Sequence, residues 1–121
     1  MKAYYAHCMA IYHTPQEDRD IELLKKLGFE VVNPSSHEVE SEVRSIISAE
    51  QRMNYFERFA DECDILVFRG LPDGTIPSGV AKEIGWFQFR YKPILELPSA
   101  LTRRTLTFEM TREFLREIGQ R

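Results

Sequence analysis

The segment Asp64-Ile65-Leu66-Val67-Phe68 decides the fold class of this 121-residue chain. Four consecutive apolar residues, with no polar alternation, are typical of a strand buried on both faces in a parallel sheet. Other segments of strand length are 3–8, 29–33 and 92–97. Helical patterns separate them, and alternating strands and helices predict a parallel sheet with right-handed crossovers.

The helices that flank these strands are marked by their ends. Thr14 is placed as an N-cap, with Pro15 at the first helical position and Gly28 as the stop signal. A second helix begins at Ala49, a third extends from Ser78 to about residue 90, and apolar residues after 107 suggest a terminal helix. Residues 35–48 are left open between a loop and a short helix.

We therefore expect a three-layer α/β/α fold, flavodoxin-like or Rossmann-like, with a mainly parallel sheet of four to five strands. The length is that of a single domain, residues 1–121. In such sheets, ligands bind at the carboxyl ends of the strands. That edge should carry residues 7–13, 33–37 and 69–79.

Bulk composition limits the classes of partner. A net charge of −3 offers no basic footprint for a nucleic acid polymer, and no apolar run is long enough to span a membrane. The N-terminus runs directly into a strand and does not resemble a signal peptide, so we expect a cytoplasmic protein. Cys8 and Cys63 are expected to be reduced core thiols.

One acid lies in a nearly apolar helix, in the segment Ser78-Gly79-Val80-Ala81-Lys82-Glu83-Ile84-Gly85-Trp86-Phe87. A carboxylate in such surroundings is costly to bury, and perturbed acids in clefts are often functional. Glu83 would point toward the sheet if it shares the face of Val80 and Phe87. The alternative is an exposed helix acid, or one paired with Lys82 or Arg90.

Further residues on this edge allow two interpretations each. Ser78 and Gly79 could bind an anion or a sugar hydroxyl through a helix N-terminus, and Ser78 could equally be a plain N-cap. His7 could bind a ligand in the pocket or lie on the surface. Trp86 and Phe89 form a second apolar face, covered either by another subunit or by the C-terminal segment.

No metal site is expected from the spacing of the three histidines, and the cysteines complete no ligand set.

Five segments together carry a family resemblance: Tyr4-Tyr5-Ala6, Pro34, Cys63-Asp64-Ile65-Leu66-Val67, 78–85 and Lys92-Pro93-Ile94-Leu95. They resemble nucleoside 2-deoxyribosyltransferases, a superfamily that includes the deoxynucleoside 5'-monophosphate N-glycosidases. The resemblance covers residues 3 to 97 and is most specific from Gly79 to Gly85.

The resemblance implies a small-molecule enzyme that cleaves the N-glycosidic bond of a nucleoside or nucleotide and needs no cofactor. Glu83 would be the nucleophile that forms a covalent glycosyl ester, and Tyr4 would orient it, although pleating decides between Tyr4 and Tyr5. Asn54, His7, Met9, Ser78 and Gly79 would contact the substrate. Homodimers or higher homo-oligomers are also implied.

Two departures from the family pattern shape the expected chemistry. Asn54 stands where the family has an aspartate, and an amide cannot act as an acid or base. Pro77 and Ser78 replace acidic residues of the transferases, which favours hydrolysis over base exchange and suits a phosphorylated substrate. His7-Cys8-Met9 replaces the usual glycine of the first loop. The competing hypothesis is a catalytically silent nucleotide-binding module.

Overall fold

The computed structural model describes residues 1–72, 74–98, 107–117 and 119. Four strands lie in one parallel sheet in the order β2-β1-β3-β4 within these ranges. The strands are β1 (Lys2–Ala6), β2 (Glu30–Val32), β3 (Ile65–Phe68) and β4 (Ile94–Glu96). The helices are α1 (Pro15–Lys26), α2 (His37–Arg44), α3 (Ala49–Glu62), α4 (Ser78–Phe89) and α5 (Phe108–Glu117), with a 3₁₀ turn at Met9–Ile11.

The pleat of β1 divides the core into two layers. Tyr4 and Ala6 lie in a cluster with residues of α3 and α4, whereas Ala3 and Tyr5 pack with Leu24 of α1. Successive side chains of a strand point to opposite faces, so one buried strand supplies both cores. The result is the expected three-layer α/β/α, Rossmann-like architecture, with helices on both faces of a parallel sheet.

The predicted start and stop of α1 are confirmed. Thr14 is the N-cap and its hydroxyl accepts a hydrogen bond from the Glu17 amide, while Pro15 occupies the first helical position. Gly28 follows the C-cap with a φ of 91°, a left-handed conformation that glycine adopts without a Cβ penalty. These signals are local, which is why the sequence alone was enough to place them.

The segment that the sequence left open forms α2. Ser36 caps this helix by accepting from the Val39 amide, and Val39 is its buried side chain. The terminal helix was also predicted and is observed as α5; Ile118, which the sequence assigned to it, lies outside the described residues. No helix in the described parts of the chain is long and apolar enough to cross a membrane.

A buried ion pair ties α1 to the end of β3. Arg69 donates from Nε and Nη2 to the two carboxylate oxygens of Asp20, at 2.5 and 2.7 Å, and from Nη1 to the Pro98 carbonyl. The Tyr5 hydroxyl donates to the same carboxylate at 2.5 Å. Both ionic side chains are almost inaccessible, at 8% and 2% exposure, so each depends on the other for its charge balance.

We predict that Arg69→Met lowers the free energy of unfolding by about 3–5 kcal/mol, because Asp20 would be left as an uncompensated buried charge. Lys26→Met is the matched control: it removes an exposed pair with Glu22 and should change stability by less than about 1 kcal/mol. Urea unfolding measures both. Adding Asp20→Asn should recover part of the loss, and equal stability of the two single variants would contradict the prediction.

Candidate functional site

A cavity of about 430 Å³ lies at the carboxyl edge of the sheet, between α3, α4 and the loop that follows β1. Its volume is in the range of small-molecule sites, and its position matches the edge at which parallel sheets bind ligands. The residues that line it are Tyr4, His7, Cys8, Met9, Tyr12, Arg52, Met53, Phe56, Pro77, Gly79, Val80, Lys82, Glu83 and Trp86.

Glu83 faces this cavity from the second turn of α4. It follows buried Val80 by three residues and precedes buried Phe87 by four, so it shares the face of the helix that packs on the sheet. The Tyr4 hydroxyl lies near enough to its carboxyl group to favour the ionised form. Burial raises the pKa of Glu83 to about 7, against the lowering effect of the Tyr4 hydrogen bond.

The cations closest in sequence, Lys82 and Arg90, do not pair with Glu83. Arg90 donates to Asp61 at 2.7 Å, and Lys82 Nζ lies 3.8 Å from the Met53 sulfur. Glu83 forms no ion pair within the described residues. The acid is therefore neither fully exposed nor neutralised by a neighbouring cation.

The register of β1 brings Tyr4, rather than Tyr5, to Glu83. The Tyr4 ring lies between Phe59 of α3 and Phe87 of α4, with centroid distances of 5.6 and 6.1 Å. Burial, and then the charge of Glu83, raise the pKa of Tyr4 well above its ordinary value. Tyr4 is therefore a fixed, neutral hydrogen-bond donor at physiological pH.

His7 lies in the wall of the cavity, and its two ring nitrogens are both used within the protein. Nδ1 lies 3.0 Å from the Tyr5 carbonyl and Nε2 lies 2.7 Å from a Glu17 carboxylate oxygen. Since a carbonyl oxygen only accepts, Nδ1 donates to Tyr5, and Nε2 is taken up by Glu17. The Tyr5 ring stacks on the imidazole at 3.9 Å and the Tyr12 ring lies 4.8 Å from it, so His7 is packed into the cavity wall, and a substrate contact of His7 stays a prediction.

Glu17 is the buried acid that holds the loop after β1. Burial alone would raise the pKa of Glu17, but hydrogen bonds from Ser35 and His7, the charge of His7, and the His13 backbone amide bring it below its ordinary value. The Ser35 hydroxyl donates to the same oxygen as His7, at 2.6 Å. Because one carboxylate binds three parts of the chain, the wall of the cavity has a defined position.

The remaining predicted residues fall into two groups. Gly79 and Met9 line the cavity, although Met9 is 78% exposed. Ser78 and Asn54 are exposed and do not belong to the lining within the described residues. Ser78 is the first residue of α4 rather than its N-cap, which is Pro77, and no side chain caps this helix. The substrate contacts assigned to these residues stay predictions.

The two residues of the second apolar face of α4 differ in their exposure to solvent. Trp86 is partly buried and lines the cavity, whereas Phe89 is 82% exposed. An exposed phenylalanine agrees with a face that is uncovered in a single chain. Assembly with a second subunit stays a prediction.

Several lining residues were missed from the sequence. Tyr12 approaches the cavity from the loop after β1, where burial and the charge of Glu83 both raise its pKa. Its position in a loop at the carboxyl edge was an available signal. Arg52 and Phe56 come from α3 and Lys82 from α4, and only the packing of the two helices brings them together.

The fold is similar to that of a solved structure, the 2-desoxiribosyltransferase from Leishmania mexicana. The TM-score is 0.55 at 18% sequence identity, and the alignment covers 79% of this chain and 63% of that one. This chain thus spans less than two thirds of that protein's length. At this identity the similarity shows the fold alone. No protein-family model and no curated sequence matches the chain significantly.

No group of three or more histidine, cysteine, aspartate or glutamate side chains in the described ranges is arranged to hold a metal ion.

We predict that Glu83→Gln stabilises the protein at pH 8. Folding raises the pKa of Glu83 from its ordinary value near 4.5 to about 7, so the native state binds this proton more tightly. The stabilising effect of the proton is present below pH 4.5 and is lost as the pH rises through 7. Removing the charge should therefore add about 1–3 kcal/mol at pH 8, discounted for partial exposure, and nothing near pH 4.

Thermal unfolding from pH 4 to 8 measures this difference. The exposed Glu38→Gln variant is the control and should show no such trend. A Glu83→Gln curve parallel to the wild-type curve across the range would show that Glu83 titrates at its ordinary pKa.

Proposed function

We propose that the protein cleaves the N-glycosidic bond of a nucleoside or nucleotide, with hydrolysis favoured over base exchange. The observation that carries this proposal is the Glu83 carboxyl group, which faces a ligand-sized cavity, interacts with the Tyr4 hydroxyl and has no cationic partner among the described residues. Its raised pKa leaves a substantial fraction ionised at neutral pH, as a desolvated carboxylate. The similarity in fold to a desoxiribosyltransferase agrees with this chemistry.

The reaction proceeds in two displacements at the anomeric carbon. A Glu83 carboxylate oxygen forms a bond to this carbon as the carbon–nitrogen bond breaks, and the electron pair leaves with the base, which is then protonated by solvent. Water next attacks the same carbon, loses a proton and releases the Glu83 carboxylate. This is the double-displacement logic of a retaining glycosidase, in which a carboxylate forms the covalent intermediate.

The lining of the cavity suits a flat heterocycle attached to a sugar. Tyr12, Phe56 and Trp86 supply aromatic surface, and Met9 and Met53 supply adaptable apolar contacts. Gly79 adds backbone without a side chain at the start of α4. A base held against these rings places the sugar toward Glu83.

Hydrolysis is favoured because Glu83 is the only acid among the lining residues that the structure describes. Base exchange needs a second heterocycle to be deprotonated or protonated in the pocket, which a further carboxylate would assist. When water is the second nucleophile, the pocket does not have to bind or protonate a second heterocycle.

The second candidate is a nucleotide-binding module without catalysis. The exposed position of Asn54, outside the cavity lining, is the observation that favours it. In this case the cavity would retain a nucleotide, and no base would be released.

Release of free base separates these two functions. Wild-type protein is incubated with the common deoxynucleosides and their 5'-monophosphates, and the products are resolved by chromatography. We expect base release, a loss of roughly 10³-fold or more in Glu83→Gln, and full activity in Glu38→Gln. Binding without base release would support the module, and full activity of Glu83→Gln would exclude Glu83 as the nucleophile.

Tyr4→Phe should lower kcat/KM by roughly 10- to 100-fold at pH 7. The wild-type rate should rise with pH through about 7 as Glu83 ionises. Since the Tyr4 hydrogen bond lowers the pKa of Glu83, its loss should move this rise to higher pH. Tyr5→Phe is the matched control, because it removes a buried hydroxyl from the opposite face of β1. An unchanged pH profile in Tyr4→Phe would contradict the orienting role.

A further inference from the structure

Two cationic side chains line the candidate site from different helices. Arg52 belongs to α3 and Lys82 to α4, and both border the cavity that contains Glu83. Lys82 Nζ reaches α3, where it lies 3.8 Å from the sulfur of Met53, the residue that follows Arg52. Both side chains therefore border the cavity from the two helices that form this wall.

Neither charge has an acidic partner within the described residues. Among the described residues, Arg52 donates from Nε to the Ile46 carbonyl at 2.8 Å, and its terminal amino groups make no hydrogen bond there. In the part of the chain that the structure describes, the polar contact of Lys82 is to a thioether, a weak acceptor.

Three other cations of the chain have strong acceptors within the protein. Arg69 and Arg90 form short bonds to Asp20 and Asp61, and Lys92 donates to three backbone carbonyls at the end of α3, at 2.6 to 3.0 Å. The structure thus satisfies several basic side chains internally, whereas the pair on the cavity wall stays available to a ligand.

Lys82 is also not among the groups that shift the pKa of Glu83, the next residue in the sequence. Burial and the Tyr4 hydrogen bond account for the pKa of Glu83, with no contribution from Lys82. A dianionic group entering the cavity would repel the Glu83 carboxylate, since like charges at short range interact strongly in a partly desolvated site. Two cations on the cavity wall oppose this repulsion.

We propose that Arg52 and Lys82 bind a phosphate group on the sugar and so determine that the substrate of the proposed reaction is a nucleoside monophosphate rather than a free nucleoside; this role rests on the proposed function. The planar guanidinium can donate two parallel hydrogen bonds to a phosphate, and the ammonium adds a mobile point charge. A free nucleoside has no phosphate, so it offers these groups neither a negative charge nor a pair of acceptor oxygens.

Substrate preference in matched variants tests this assignment. Arg52→Met and Lys82→Met keep most of the apolar stem, and Lys25→Met and Arg44→Met remove exposed cations from α1 and α2 as controls. We expect kcat/KM for a deoxynucleoside 5'-monophosphate to fall about tenfold in each cavity variant, mainly through KM. The value for the corresponding deoxynucleoside should change by less than about twofold, and the control variants should keep the wild-type preference.

Ionic strength gives a second readout. The wild-type preference for the monophosphate should decrease as sodium chloride is raised, whereas the Arg52→Met/Lys82→Met double variant should show no preference at any salt concentration. A wild-type protein that cleaves both compounds equally, or cavity variants that slow both compounds equally, would overturn the assignment while leaving the proposed reaction intact.

Failure of the proposed reaction is recognised separately. If the wild-type protein releases no base from either compound, calorimetric titration with the same monophosphate still measures the contribution of the two cations. Binding that weakens about tenfold in each cavity variant, and not in the controls, would support phosphate recognition in a non-catalytic site. Equal binding by wild type and variants would refute it.

Discussion

The two-residue period of β1 is the constraint on which the rest of the structure depends. Tyr4 and Tyr5 are adjacent in sequence but point to opposite faces, and each carries a buried hydroxyl group to a different acid. Tyr4 meets Glu83 beneath α4, and Tyr5 meets Asp20 of α1. One strand thus fixes both helical layers and sets the position of the candidate nucleophile, since a one-residue shift would exchange the two faces.

Two carboxylates at this edge of the sheet have opposite environments. Glu17 is buried, but hydrogen bonds from Ser35 and His7 lower its pKa and keep it ionised. Glu83 receives only the Tyr4 hydrogen bond, and burial raises its pKa to about 7. The different pKa values separate the roles of the two acids. An acid whose oxygens have several hydrogen-bond donors organises the protein, whereas an acid with few donors in a cavity can react. Glu17 positions the wall, and Glu83 faces its interior.

The sequence predicted what depends on local signals. The four strands and the capped α1 followed from apolar runs, Thr14 and Gly28, whose effects act within a few residues. The sequence left α2 open between a loop and a helix, because the helix depends on burying Val39 against the core. Glu83 was found from its apolar neighbours and the family resemblance. Arg52 was missed because only tertiary packing brings its part of α3 to the cavity, whereas the position of Tyr12 in the loop after β1 was an available signal that was not used.

The identity of residue 83 bears on whether the cavity only binds or also reacts. A glutamine would have nearly the same shape, could accept the Tyr4 hydrogen bond and would avoid the unfavourable desolvation of a charge. It would also not repel an anionic ligand near Lys82. A site built only to hold a nucleotide would gain at most a stronger hydrogen bond to a sugar hydroxyl from a carboxylate at this position, against the desolvation of the charge. A nucleophile, in contrast, requires the ionised oxygen, and the partial burial that raises the pKa of Glu83 also keeps that oxygen poorly solvated.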